Sequence, residues 1–142
     1  PMTTTITRFL EFDAGHRLLK HAGKCRHLHG HRYKVEVTCQ LVHGAVDAQG
    51  MVIDFGTVKT HLGGWIDTPL DHGLMVEVGD ALGKATEAEG LKVFWMTCAP
   101  TAENLAALLL KHGRALLVGG GVSIQSITVW ETPNCFATVH ND

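Results

Sequence analysis

The chain has no C-x-x-C pair, no apolar run near the roughly 20 residues of a membrane-spanning helix, and no excess of either charge. Its four cysteines (Cys25, Cys39, Cys98, Cys135) are widely separated, which argues against a disulfide scaffold and fits a reducing compartment, so the expected location is the cytoplasm. Twelve Lys and Arg against 14 Asp and Glu give a net charge of -2, so no electrostatic argument favours nucleic acid or an anionic membrane as partner. The first residues lack a charged segment followed by an apolar one, and no internal repeat or low-complexity segment is present. At 142 residues, one ordinary domain with a real core is expected over 1–142.

Histidine is what the chain has in plenty, ten in all. Thr4 to His16 reads as a strand, with Ile6, Leu10, Phe12, Ala14 and His16 on one parity. After a polar loop over Lys20 to Arg26, a second strand carries Tyr33, Val35, Val37, Cys39 and Leu41 on the apolar parity, which His29 and His31 share. Asp54 suits the N-cap of a helix whose inner side holds Phe55, Val58, Leu62 and Trp65 or Ile66, weakened at its far end by Gly63-Gly64. Helices are further predicted over Gly79 to Ala88 and over Thr101 to Leu117, the latter with Leu105, Leu108, Leu109 and Leu116 inward and Gly119 to Gly121 as its stop. Strands over Val122 to Glu131 and Phe136 to Val139 flank a Pro133-Asn134 turn. The order predicts an α+β fold: four antiparallel strands, hairpins at each end, and no βαβ crossover. The two open sheet edges would be covered by pairing with further copies, so a homo-oligomer is expected.

Three imidazoles with an open fourth position are a common catalytic zinc set, and His16, His29 and His31 supply it. His29 and His31, two apart in extended chain, point the same way. One histidine on an apolar parity would be an ordinary core residue; three together favour a metal. His27 is a reserve ligand on the same parity, while His43, His61, His112 and His140 are expected in solvent. Cys25, between Lys24 and Arg26, suits a general base or nucleophile, with a fourth zinc ligand as its rival; a buried, inert thiol suits Cys39 and Cys98 better. Asp71-His72 offers a carboxylate beside an imidazole, the parts of a proton relay, although such a pair in a turn is more often merely solvated. Glu131 ends an apolar strand parity, where an unpaired carboxylate is costly and a ligand with N–H donors would satisfy it; exposure at the sheet rim is an equal alternative. Glu103, in the first turn of its helix, is by default a favourable partner of the helix dipole.

Six ordered blocks extend this reading: F-D-A-G-H-R-L (Phe12 to Leu18), C-R-H-L-H-G-H (Cys25 to His31), G-M-V-I-D-F (Gly50 to Phe55), L-D-H (Leu70 to His72), P-T-A-E-N-L (Pro100 to Leu105) and W-E-T-P (Trp130 to Pro133). Together they resemble the family of 6-pyruvoyl- and 6-carboxytetrahydropterin synthases across nearly the whole chain. Three residues between Cys25 and His29-Gly30-His31 is the spacing of the carboxy branch, which serves the queuosine and deazaguanine route. The resemblance implies a tunnelling fold, an antiparallel sheet with helices on one face. It also implies closure into an oligomeric barrel, a hexamer as a dimer of trimers or smaller, with active sites between subunits.

It further implies Zn²⁺ held by His16, His29 and His31, Cys25 as proton-transferring thiol, Asp71 with His72 as second proton relay, and a pterin substrate anchored by Glu131 with Thr101 and Glu103. The expected reaction converts 7,8-dihydroneopterin triphosphate to 6-carboxy-5,6,7,8-tetrahydropterin, acetaldehyde and triphosphate. The rivals are the pyruvoyl reaction, dihydroneopterin cleavage, and a non-catalytic zinc or pterin-binding module. The chain departs from the family pattern at Gly73-Leu74-Met75, directly after Asp71-His72, and in a longer stretch from Met75 to Met96.

Overall fold

The computed structural model describes residues 2–42, 46–117 and 121–142. Two long strands, β1 (Thr5–His16) and β2 (His29–Leu41), pair antiparallel over their whole length. A 3-10 turn at Lys24–Arg26 lies in the loop between them. Helix α1 (Phe55–Val58), capped by Asp54 accepting from the Gly56 N–H at 2.7 Å, passes through a π turn at Lys59–Gly63 into α2 (Gly64–Asp67). Then follow β3 (Gly73–Glu77), α3 (Ala81–Ala88), β4 (Val93–Met96), α4 (Ala102–Leu116), β5 (Val122–Thr132) and β6 (Cys135–His140). The sheet order is β4-β3-β1-β2-β5-β6.

The four expected strands form the antiparallel part of this sheet, and the expected helices are in place. The sheet is nevertheless mixed: β3 runs parallel to β1 and to β4, and β3-α3-β4 is a βαβ unit where none was expected. The reason lies in the residues. Leu74, Met75 and Val76 are buried on both faces, so β3 shows no alternation to read. The long Met75 to Met96 stretch is this unit, and α3 packs closely on it: a Cβ at Gly83 would lie 2.5 Å from Trp95 and 2.7 Å from Val76.

The core forms where the inward parity of β1, β2 and β5 meets the helices, around Phe12, Tyr33, Val35, Leu62, Leu105, Leu109 and Ile127. Side chains of this size each contribute about 1.5–3 kcal/mol on full burial. The glycine pair that was expected to weaken the far end of the helix after Asp54 does not interrupt it, because the π turn carries it onward and keeps Leu62 and Ile66 inside. Phe55 (51% exposed) and Leu116 (38%) are outside the core that was expected to hold them; Ala102, Ala106, Leu110 and Gly113 fill the inner face of α4 instead. Cys98 is exposed rather than buried. His112 is half-buried and stacks on Trp65 with ring centroids 3.9 Å apart, whereas His61 and His140 are exposed as expected; His43 and the helix stop at Gly119 and Gly120 lie outside the described residues. No helix of the described residues is long and apolar enough to cross a membrane.

Candidate metal and substrate site

The hairpin register builds the metal cluster. His16 pairs directly with His29, Gly15 with Gly30, and Ala14 with His31, so three imidazoles converge at the ends of two strands. Gly30 allows this approach, since a Cβ there would lie 2.9 Å from the Ala14 carbonyl oxygen. One nitrogen from each of His16, His29 and His31 lies within 4.8 Å of the others, and the three could hold a metal ion.

Their hydrogen bonds fit that use. His16 Nδ1 lies 2.8 Å from the Pro100 carbonyl oxygen and His29 Nδ1 lies 2.8 Å from that of His27. A carbonyl only accepts, so both rings carry their proton on Nδ1 and turn Nε2 lone pairs into the cluster. Those two Nε2 atoms are 3.0 Å apart. Two lone pairs facing at that distance repel unless a cation lies between them, and backbone carbonyls behind the rings are the usual support of metal-ligating histidines. Burial is the main reason that the His16 pKa falls to about 4, opposed by the Pro100 bond and reinforced by the neighbouring imidazoles. His31 is lowered by burial too, against the pull of Glu131.

Glu131 reaches the cluster from β5, with Oε2 3.6 Å from His16 Nε2 and 3.5 Å from His31 Nε2. It is half-buried on the inward parity, not exposed at the rim. The residue that leads into α4 also abuts the cluster, because Pro100 accepts from His16. Thr101 caps that helix, its oxygen accepting from the Asn104 N–H at 3.1 Å, which leaves its hydroxyl proton free to donate. Glu103 is exposed in the same first turn. Cys25 is half-buried in the 3-10 turn, tied to the end of β1 by the Leu18 N–H on its carbonyl, and is not among the clustered donors. His27 contributes its carbonyl oxygen, while its side chain is exposed and outside the cluster.

Asp71 and His72 are joined to each other but not to the cluster by any bond among the described residues. Asp71 Oδ2 lies 2.9 Å from His72 Nδ1, and Asp71 Oδ1 accepts from the Asp13 N–H at 3.0 Å. His72 has the left-handed φ of 61°, uncommon outside glycine, and is held there by donating its N–H to the Asp13 carbonyl at 2.7 Å. It opens onto a depression lined by Asp13, Gly15, Gly30 and Arg32 and also by Ala14 and His31. Its side chain is 76% exposed.

Sequence reasoning missed two supports of these groups. Lys92 Nζ donates to the Asp71 carbonyl at 2.6 Å, and its stem lies where a Cβ on Gly73 would come within 3.1 Å, which gives the departure at Gly73 a physical reason. Despite a desolvation that works the other way, the Asp13 N–H, His72 and Lys92 hold the Asp71 carboxyl below its ordinary range. At the end of β1, Arg17 Nε donates to the fully buried Asp80 at 2.8 Å, and Asp80 caps α3 by accepting from the Leu82 N–H. Only long-range contact brings these partners together, so no local pattern could have revealed them.

Comparison with known proteins gives the lineage. The 6-pyruvoyl tetrahydropterin synthase family profile matches residues 5–142. A Rickettsia bellii protein named 6-carboxy-5,6,7,8-tetrahydropterin synthase is 43% identical over 137 residues, covering 94% of this chain and 97% of the relative. One of the same name from Haemophilus influenzae is 34% identical, covering 92% and 94%. Among solved structures, a Wolinella succinogenes protein superposes with TM-score 0.86 at 24% identity, covering all of both chains. The 6-pyruvoyl tetrahydropterin synthase of Caenorhabditis elegans does so with TM-score 0.72 at 25% identity, covering 99% of this chain and 97% of the other. Fold, imidazole cluster and sequence agree, and the chain belongs to the 6-pyruvoyl tetrahydropterin synthase family.

Proposed function

We propose that this chain is a zinc-dependent lyase that converts 7,8-dihydroneopterin triphosphate and water to 6-carboxy-5,6,7,8-tetrahydropterin, acetaldehyde and triphosphate, the reaction of the queuosine and 7-deazaguanine route. The observation that carries this reading is the three-imidazole cluster with tautomers preset by backbone carbonyls, in a chain whose relatives at 40–43% identity are named for that product. His16, His29 and His31 would hold Zn²⁺. The bound ion supplies Lewis acidity toward the side-chain oxygens of the substrate, which makes the adjoining C–H bonds more acidic.

Glu131 anchors the pterin, its two carboxylate oxygens suited to the ring N–H and the 2-amino group, with the Thr101 hydroxyl and Glu103 at the same helix start. Cys25 takes a proton from the side-chain carbon, and its place outside the imidazole cluster suits this role better than that of a fourth ligand. His72, oriented by Asp71, returns a proton. Triphosphate leaves as the side chain undergoes an internal redox shift to a dicarbonyl. Water then adds to the carbonyl next to the ring, and the carbon–carbon bond breaks to give carboxylate and acetaldehyde, so no external oxidant is required.

Among the described residues no bond joins the dyad to the cluster of its own chain and the His72 side chain is largely exposed, which supports an active site assembled between copies, in which His72 of one copy serves the imidazoles of another. A homo-oligomeric barrel without nucleic-acid or membrane partners, working in the cytoplasm, completes the proposal. Incubating the zinc-loaded protein with 7,8-dihydroneopterin triphosphate should yield 6-carboxytetrahydropterin by mass spectrometry and stoichiometric acetaldehyde. A 6-pyruvoyl product without acetaldehyde would assign the sister reaction, and tight pterin binding without turnover would make the protein a binding module.

A further inference from the structure

Among the described residues, one buried side-chain polar atom has no hydrogen-bond partner: the hydroxyl of Tyr33. A buried hydroxyl left unpaired costs about 1–3 kcal/mol. The ring itself is firmly placed, stacked on Phe12 with centroids 4.9 Å apart and edge-on to His31 at 5.4 Å and His16 at 6.0 Å. Core packing therefore accounts for the ring but not for the oxygen. Its surroundings point to one acceptor. The β2–β5 ladder ends at the Lys34–Trp130 pair, and Tyr33 and Glu131 are each one residue beyond it, both on the inward parity. Both also lie against the His31 ring, the phenol ring at 5.4 Å between centroids and the carboxylate 3.5 Å from its Nε2, which brings the two side chains into one neighbourhood. A phenol with its ordinary pKa of about 10 is protonated at neutral pH, so the Tyr33 hydroxyl is a donor.

Glu131 meanwhile leans toward the nitrogens of His16 and His31 without a hydrogen bond to either. Once those nitrogens are engaged by a metal, the carboxylate needs other donors. A pterin offers two, and a carboxylate can accept about four.

We propose that Tyr33 is the positioning residue of Glu131: in the occupied site its hydroxyl donates to the carboxylate and holds it in the orientation that grips the pterin ring. The inference rests on Glu131 being the pterin anchor. It assigns Tyr33 a part in ring recognition and none in proton transfer.

The test is calorimetric titration of the zinc-loaded protein with 7,8-dihydroneopterin in wild type, Tyr33→Phe, Glu131→Gln and the double variant, with zinc affinity measured separately by chelator competition. Tyr33→Phe keeps the ring and its packing, and should weaken pterin binding about tenfold, raise KM with little change in kcat, and leave zinc affinity within about twofold. In the double variant the Tyr33 change should add nothing to the loss from Glu131→Gln. Unaltered pterin affinity in Tyr33→Phe, or the same tenfold loss on top of Glu131→Gln, overturns the inference while leaving the anchor in place. No effect of Glu131→Gln overturns the anchor itself, and Tyr33's role with it.

Discussion

The two faces of the β1–β2 hairpin carry the same residue types in opposite conditions. Inside, His16 is 1% exposed, its tautomer set by Pro100, its neighbours other imidazoles and one carboxylate. Outside, His72 stands in solvent on a strained residue, with only Asp71 on its ring. The inner face gathers three imidazoles that could hold a cation; the outer side holds an exposed carboxylate–imidazole pair, the one proposed for proton transfer. The proposed reaction draws on both.

Removing an inner imidazole breaks the contrast most severely. His29→Ala should abolish stoichiometric zinc, read by metal analysis of purified protein, and lower turnover by at least a thousandfold, whereas His72→Ala should keep full zinc. Next in size, Cys25→Ala and His72→Ala should each lose about a hundredfold or more in kcat. When the two inactive variants are unfolded and refolded together, the mixed assembly should recover a substantial fraction of activity, because some sites then receive an intact Cys25 from one copy and an intact His72 from another. No recovery would mean that both residues act within one chain.

A smaller effect concerns the pair that fixes the end of β1. Asp80→Ala removes the α3 cap and the Arg17 bonds and should cost about 1–2 kcal/mol in chemical denaturation. The Arg17 hydrogen bonds lead the causes that hold the Asp80 carboxyl below 3.8, so in the folded protein it ionises more readily than in the unfolded chain. Its stabilisation is therefore complete above that value and is lost as pH falls through the lowered one; Asp80→Asn should remove this part of the acid limb of a stability–pH curve. Smallest of all, Lys92→Met should reduce kcat a few-fold through a looser Asp71–His72 turn without changing KM, and Lys92→Arg should restore most of the loss.

Whatever depends on period and cap is legible in the amino-acid sequence. Alternation along β1 and β2 puts three histidines on one face, and Asp54 and Thr101 mark helix starts that the hydrogen bonds bear out. The Leu74-Met75-Val76 run cannot be read in the same way, because burial on both faces erases alternation, and the βαβ unit is hidden with it. The placement of Asp71-His72 is beyond local inspection as well: its face is set by a hydrogen bond to Asp13, 58 residues earlier. Tyr33 is the nearer miss. It shares the parity of His29 and His31, and a phenol at that position carries an oxygen that an apolar core has no use for.

The burial of two of the three imidazoles has a thermodynamic consequence for metal exchange. Most histidine sites compete with protons for their ligands, so that loading and unloading follow acidity. Here His16 and His31 have lowered affinity for protons, that of His16 down to about 4, so both rings are already in the ligating form at neutral pH. Neither ring then gives up a proton when metal enters. Loading at these two positions should track the supply of metal and stay indifferent to the small swings of pH that would empty an ordinary histidine site.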